Sequence, residues 1–179
     1  MGEVVQNGME QGVEAPGSVP ALHLVGIDKS FGAVHANRGI DLCVEQGSIH
    51  GIVGENGAGK STLMRIVFGF YKPDGGSISV HGVEQQFKTP KDAMVAGIGM
   101  VHQHFMLVEN FTVLENVVLG LGKDILLKPQ LKEARAKLVE IEKRYGLDVD
   151  PDALIEDLSV GERQRVEILK ALYRDEQIL

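Results

Sequence analysis

One octapeptide restricts what this 179-residue chain can become more than any other part of it: Gly54-Glu55-Asn56-Gly57-Ala58-Gly59-Lys60-Ser61, with Thr62 following. It fits the pattern G-x-x-x-x-G-K-[ST]. An apolar run, Ile49–Val53, leads into it, and a helix-like segment, Lys60–Phe68, leaves it with Gly69 near the end. Glycines allow consecutive backbone N–H groups to converge on one point without Cβ clashes. A helix that starts there aims its positive end and its unpaired amides at the same point. Together these parts make a cradle for a phosphate. Lys60 adds a mobile charge for β- and γ-phosphates, and the Ser61 hydroxyl is a suitable hard ligand for Mg2+. The strand-loop-helix setting predicts a nucleotide-binding α/β domain. The loop alone leaves ATPases, GTPases and kinases of small molecules open.

The remaining composition limits the class further. At 179 residues, 44% apolar and 24% charged, the chain has room for one domain with a real core. A net charge of −7 argues against a broad nucleic-acid face, which needs clustered Lys and Arg. No apolar run approaches the roughly 20 residues that span a bilayer, and no basic-hydrophobic leader opens the chain. The chain is therefore expected in the cytosol, with any membrane role arising by docking. Cys43, the single cysteine, lies within Ile40-Asp41-Leu42-Cys43-Val44 and is expected to be a small buried hydrophobe.

Residues 1 to about 20 are rich in Gly, Pro, Gln and Glu without a period and read as a disordered lead-in. Strands are expected at Leu22–Ile27, Ile40–Val44, Ile49–Val53, Ser77–His81 and Ile98–His102, with a turn at Glu45-Gln46-Gly47-Ser48. Thr89-Pro90 reads as a helix start running to about Ala96, and Thr112 as a cap for Val113–Leu119. In Pro129–Tyr145 a stripe of Leu131, Ala134, Leu138, Ile141 and Tyr145 predicts a helix packed on its own domain, ended by Gly146. A last helix is expected from about Gly161 to Tyr173, and Gln177-Ile178-Leu179 reads as a strand beginning. His102 and His104 have no cysteine or carboxylate at ligand spacing, so a metal pair is not expected.

Read with the phosphate loop, three more stretches resemble the ABC ATPase family. Lys29-Ser30-Phe31-Gly32 looks like its adenine-stacking segment, with Phe31 as the base platform, although a phenylalanine at a strand end serves equally as core. Val101-His102-Gln103 is similar to the family's glutamine loop. There Gln103 would contact Mg2+ and the attacking water and report to a transmembrane partner. Leu158-Ser159-Val160-Gly161-Glu162 followed by Arg163-Gln164-Arg165 resembles the signature LSGGQ-x-Q-R, with Val160 and Glu162 as departures. In that reading Ser159 and the amides around Gly161 meet the γ-phosphate held by the opposite module. Ser159 and Glu162 also fit a helix-capping box, and both descriptions can hold for one helix start.

Motif order and separation match the family over nearly all of residues 21–179. The implied fold is a P-loop NTPase of the ABC type, α/β, with an antiparallel β subdomain and a helical subdomain at about residues 104–160. The resemblance implies binding of ATP and Mg2+ by Phe31, Gly54, Glu55, Asn56, Gly57, Ala58, Gly59, Lys60, Ser61, Thr62, Ser159 and Gly161, with Lys60 and Gln103 catalytic and Ser61 and Gln103 at the metal. It implies a head-to-tail pair of ATPase modules, transmembrane permease subunits, an extracytoplasmic solute-binding protein acting indirectly, no nucleic acid, and a peripheral place at the cytoplasmic face of the cell membrane. Gly54-Glu55-Asn56-Gly57, the run Gly97–Phe105 and Leu158–Glu162 look like the bacterial importers of nucleosides and simple sugars, a branch in which two ATPase modules are fused. The alternatives are a soluble ABC-type ATPase in repair or translation, or a non-hydrolysing ATP-binding fragment.

In that family an apolar strand ends in a metal-orienting aspartate about 23 residues past the signature serine, followed by the catalytic glutamate. Counted from Ser159, that aspartate would fall beyond Leu179. The domain is therefore expected to be C-terminally incomplete here and marginally stable alone, with an apolar strand short of its partner.

Overall fold

The computed structural model describes residues 19–102, 105–121 and 128–179. These form two compact units, one reaching to Ile98 and including Ile178, the other Gly99–Gln177 with Leu179. Most of the expected lead-in, residues 1–18, lies outside the described residues.

The first unit is built on a four-stranded antiparallel sheet. β1 (Leu22–Phe31) lies between β2 (Val34–Val44) and β3 (Gly75–Val80), and β4 (Val83–Gln85) borders β3. Leu22, Leu24 and Ile27 are buried on β1, so the two-residue alternation slips by one residue after Leu24. The ladder shifts register at that place, and Gly26 takes φ 59°. Its amide donates to Asp41 Oδ1 at 2.6 Å. A bulge of this kind lets Leu24 and Ile27 both be buried. The strand runs past its expected end, through two further register shifts, to Phe31 and the tight turn at Gly32-Ala33. β4 has only three residues, too few to carry a readable period.

α1 (Lys60–Val67) contacts β2 and buries Leu63, Ile66 and Val67. Gly69 ends it at φ 77°, and a Cβ there would come within 2.7 Å of the Thr89 carbonyl oxygen, so only glycine fits. α2 (Pro90–Val95) opens as expected at Thr89-Pro90. Asp92 closes a capping box by accepting from the Thr89 amide at 2.8 Å.

Three expectations, one of them running across the boundary at Ile98, are corrected. Ile49–Val53 joins no strand among the described residues, and Ile49 and Val53 are 103% and 93% exposed. Apolar, β-branched composition favours a strand only when neighbours pair with it and cover it. Ile98–His102 likewise contributes a single parallel bridge, Ile98 to Ile178, supported by the Ile178 amide on the Gly97 carbonyl at 3.0 Å. Cys43 is exposed, because it faces outward between two partly covered neighbours on β2, and its thiol lies 3.6 Å from Glu45 Oε1.

The second unit is helical: α3 (Val113–Val118), α4 (Lys128–Tyr145) and α5 (Val160–Tyr173), with a 3-10 turn at Ile155–Asp157. Val113, Val117, Leu138, Ile155, Val166 and Leu169 make its core. The α4 stripe points where its spacing requires: Ala134 and Leu138 are buried, and Leu131 and Ile141 pack beside them. Tyr145, the last of that stripe, is 51% exposed, since the helix ends there. Gly146 takes φ 64° and the Leu147 amide returns to the Glu142 carbonyl at 3.2 Å, a glycine-based helix stop. Thr112 caps α3 as expected, exchanging bonds with Glu115 at 2.8 Å and 3.2 Å.

Candidate functional site

The phosphate-loop residues lie together at the surface of the first unit. Glu55 to Ala58 forms a turn, with the Ala58 amide on the Glu55 carbonyl at 3.2 Å. Gly57 and Gly59 both take φ 86°, a backbone that side-chain-bearing residues rarely adopt. Gly59 has a second reason to be glycine. A Cβ there would stand 2.1 Å from the Ala36 carbonyl oxygen and 2.9 Å from Asn37 Nδ2. The sheet strand β2 thus backs directly onto the loop. Asn37, only 5% exposed, donates from Nδ2 to the Gly59 carbonyl at 3.3 Å. That carbonyl also accepts the Leu63 amide of α1 at 2.9 Å.

The helix start is arranged for an external acceptor. α2, α3 and α5 each close their N-terminus with their own Ser or Thr and carboxylate. α1 starts from Gly59 with no side-chain cap and no acidic residue in its first turn. Its first amides and positive dipole end therefore favour an anion brought from outside the chain. The Lys60 ammonium bonds back to the carbonyls of Gly54, at 2.5 Å, and Glu55, at 2.8 Å, which keeps the charge at the loop. Ser61 is exposed in the first turn, so its hydroxyl can serve a hard cation next to a phosphate.

Phe31 stands at the end of β1 and remains 45% exposed. Its ring meets Tyr71 edge to face at 5.3 Å, and the Lys29 ammonium is 5.5 Å from its centroid. Lys29 is held by Asp74 at 2.8 Å, and that hydrogen bond, joined by the Ser30 amide, holds the Asp74 carboxyl below the usual carboxylate range. An aromatic surface braced from the side but open to solvent can stack a planar base.

In the second unit, Ser159 is the N-cap of α5 and Glu162 answers it. Glu162 Oε2 accepts from the Ser159 hydroxyl at 2.6 Å and from its amide at 2.8 Å. Those two bonds, the hydroxyl first, hold the Glu162 carboxyl below its usual range. The departure from glutamine therefore turns its charge back onto the helix end. Val160 is 72% exposed, and a Cβ on Gly161 would meet nothing within 4 Å. Nothing among the described residues requires a glycine at 161, although glycine in a helix costs about 1 kcal/mol relative to alanine. Gln103 lies outside the described residues.

A family model described as ABC transporter matches residues 37–179. The chain belongs to the ABC transporter family. Among its relatives, the "Nucleoside import ATP-binding protein NupA" of Lactococcus lactis subsp. cremoris (strain MG1363) is 49% identical over 88% of this ABC chain and 31% of its own length. The "Guanosine import ATP-binding protein NupO" of Bacillus subtilis (strain 168) is 48% identical over 88% of this chain and 31% of its own. The chain thus spans about a third of the curated relatives it matches. A solved nucleotide-free ATP-binding cassette from an ABC transporter superposes with TM-score 0.75 at 29% identity, over 88% of this chain and 66% of that one. The fold is accordingly that of a P-loop ABC cassette, antiparallel sheet and helical unit included, represented by its N-terminal part. Among the described residues no helix is long and apolar enough to cross a membrane.

Some largely buried polar contacts are poorly marked in the sequence. Asn37 carries no sequence signal, because nothing in β2 marks it as facing the loop. Glu167 and Lys170 left a faint one: two charges three apart on the face where Val166 and Leu169 are buried.

Proposed function

We propose that this chain is the ATP-binding part of an ABC importer that couples ATP binding and hydrolysis to the uptake of nucleosides or simple sugars. The observation that carries the reading is the start of α1: an uncapped helix N-terminus, a glycine pressed against β2, and a lysine held at the same loop. The amides from Gly54 through Thr62, including those of Asn56 and Ala58, surround the phosphates. Lys60 balances the β- and γ-phosphate charge, and Phe31 receives the adenine. Ser61 and Gln103 would hold Mg2+, which supplies charge neutralisation at the phosphates. Gln103 also positions the attacking water.

Ser159 and the amides at Gly161 serve the phosphate of a second, head-to-tail module. The openness above Gly161 supports this role, since a side chain there would hinder approach from outside the chain. Permease subunits take up the motion, a solute-binding protein on the far side supplies the solute, and the cassette sits at the cytoplasmic face of the membrane. Relatives named as nucleoside and sugar import proteins support the importer reading over a role in repair or translation.

Lys60→Ala in the assembled transporter is expected to abolish ATP-driven uptake of labelled solute. Uptake at the wild-type rate would remove the mechanism. A phosphate-release assay on the 179-residue chain separates hydrolysis from binding alone.

A further inference from the structure

Buried charge grips the backbone just after the glutamine loop. Glu167, on α5, is 4% exposed, and its Oε1 accepts the Met106 amide at 2.7 Å. Lys170, one turn on, donates to the Met106 carbonyl at 3.0 Å and lies 3.5 Å from Glu167 Oε2. One residue's N–H and C=O are thus both held by a single pair on one helix. Two residues further, Asn116 on α3 repeats the pattern: its Oδ1 accepts the Val108 amide at 2.7 Å and its Nδ2 donates to the Val108 carbonyl at 3.0 Å. The Met106 side chain is meanwhile 63% exposed, so the apolar burial of this residue does not explain the grip.

A buried ion pair is a poor device for stability. Desolvation offsets most of the attraction, and well-packed apolar groups commonly do as well or better. Burial does depress the Lys170 pKa, and Glu167 opposes that shift. The rest of this face of α5 is apolar, with Val166 and Leu169 fully buried. What the pair provides, and an apolar pair could not, is a fixed position of the backbone at Met106 relative to the helix. That helix begins at Ser159, eight residues before Glu167, or about 12 Å along its axis. The gripped residue lies three positions after Gln103.

We propose that Glu167, with Lys170, is a positioning residue that makes the backbone at Met106 move together with the signature helix. Contact of Ser159 with a phosphate then reaches Met106, three positions after Gln103 in the sequence, as a rigid displacement of α5. This inference rests on the functional reading above, and it deepens that reading by assigning a residue to the coupling step.

The test uses the assembled transporter, reading Mg·ATP affinity by calorimetry, basal ATPase, and ATPase stimulated by solute-loaded binding protein. With Glu167→Leu the ratio of stimulated to basal activity is expected to fall by about tenfold, while the Mg·ATP Kd stays within about threefold of wild type. Glu167→Gln, which keeps an acceptor for the Met106 amide, is expected to recover part of that ratio. A ratio within about threefold of wild type in both variants overturns the proposal. So does a parallel loss of affinity and stimulation, or failure of the Gln variant to fold, because either assigns Glu167 to structure alone. A wild-type transporter without Mg·ATP affinity would instead sink the functional reading, and this inference with it.

Discussion

Gly59→Ala offers the sharpest test of how the phosphate loop is held. Two separable penalties act at this position. An alanine at φ 86° is strained by about 1–2 kcal/mol, as at any left-handed position. In addition its Cβ would lie 2.1 Å from the Ala36 carbonyl oxygen, which is backbone and has no rotamer to turn away. Relieving that overlap moves the start of α1 off β2 by about an ångström and breaks the Asn37 bond to the Gly59 carbonyl, worth about 1 kcal/mol. The combined expectation is a loss of about 3–4 kcal/mol in stability, with Mg·ATP affinity down at least about a hundredfold. Gly57→Ala separates the terms, since Gly57 shares the same φ of 86° yet a Cβ there meets nothing within 4 Å. It should lose only about 1–2 kcal/mol. Gly51→Ala, with open space and no positive φ, is the neutral control. Urea denaturation and calorimetric Mg·ATP titration of the three variants read both quantities. Equal losses for Gly59→Ala and Gly57→Ala would refute the claim that β2 sets the loop's position.

Two further outcomes follow from the helical unit. Asn116 is 1% exposed and carries both polar groups of Val108 as well as the Thr112 carbonyl at 3.0 Å. Asn116→Ala strands the two part-buried Val108 groups, while the Thr112 carbonyl keeps the Asn116 backbone amide at 3.0 Å. It should cost about 2 kcal/mol in urea denaturation; a loss under about 1 kcal/mol would show that the Val108 groups find other partners. Glu162 has a depressed carboxyl pKa, so its contribution to capping α5 is present above the ordinary carboxylate range and is lost as pH falls through its folded value. Ser159→Ala removes the largest cause of that depression, and carbon-detected NMR titration should find the Glu162 midpoint moved upward toward the ordinary glutamate value. An unmoved midpoint would mean the capping box is not what holds it.

Local rules were enough for much of this protein. Thr89, Thr112 and Ser159 announce helix starts because a hydroxyl followed three residues later by a carboxylate satisfies end amides within one turn. The spacing of Leu131, Ala134 and Leu138 selects the covered face of α4 for an equally local reason. The glycine turn that leads into α1 was legible for the same cause: its glycines and the lysine that bonds back to it lie within eight consecutive residues.

Tertiary structure decided what depends on residues far apart in the chain. Whether Ile49–Val53 forms a strand depends on a neighbour, and its apolar side chains stand exposed without one among the described residues. That Gly59 must be glycine twice over comes from Ala36 and Asn37 on another strand. Glu167 reads as an ordinary helical charge until Met106 arrives from 61 positions away. Sequence by itself therefore determined the glycine turn before α1 and the helix ends, since backbone conformation and near-neighbour hydrogen bonds are short-range. Which strands pair, which glycines are obligatory and which charge is buried were settled only by packing, because burial is a property of everything that surrounds a residue.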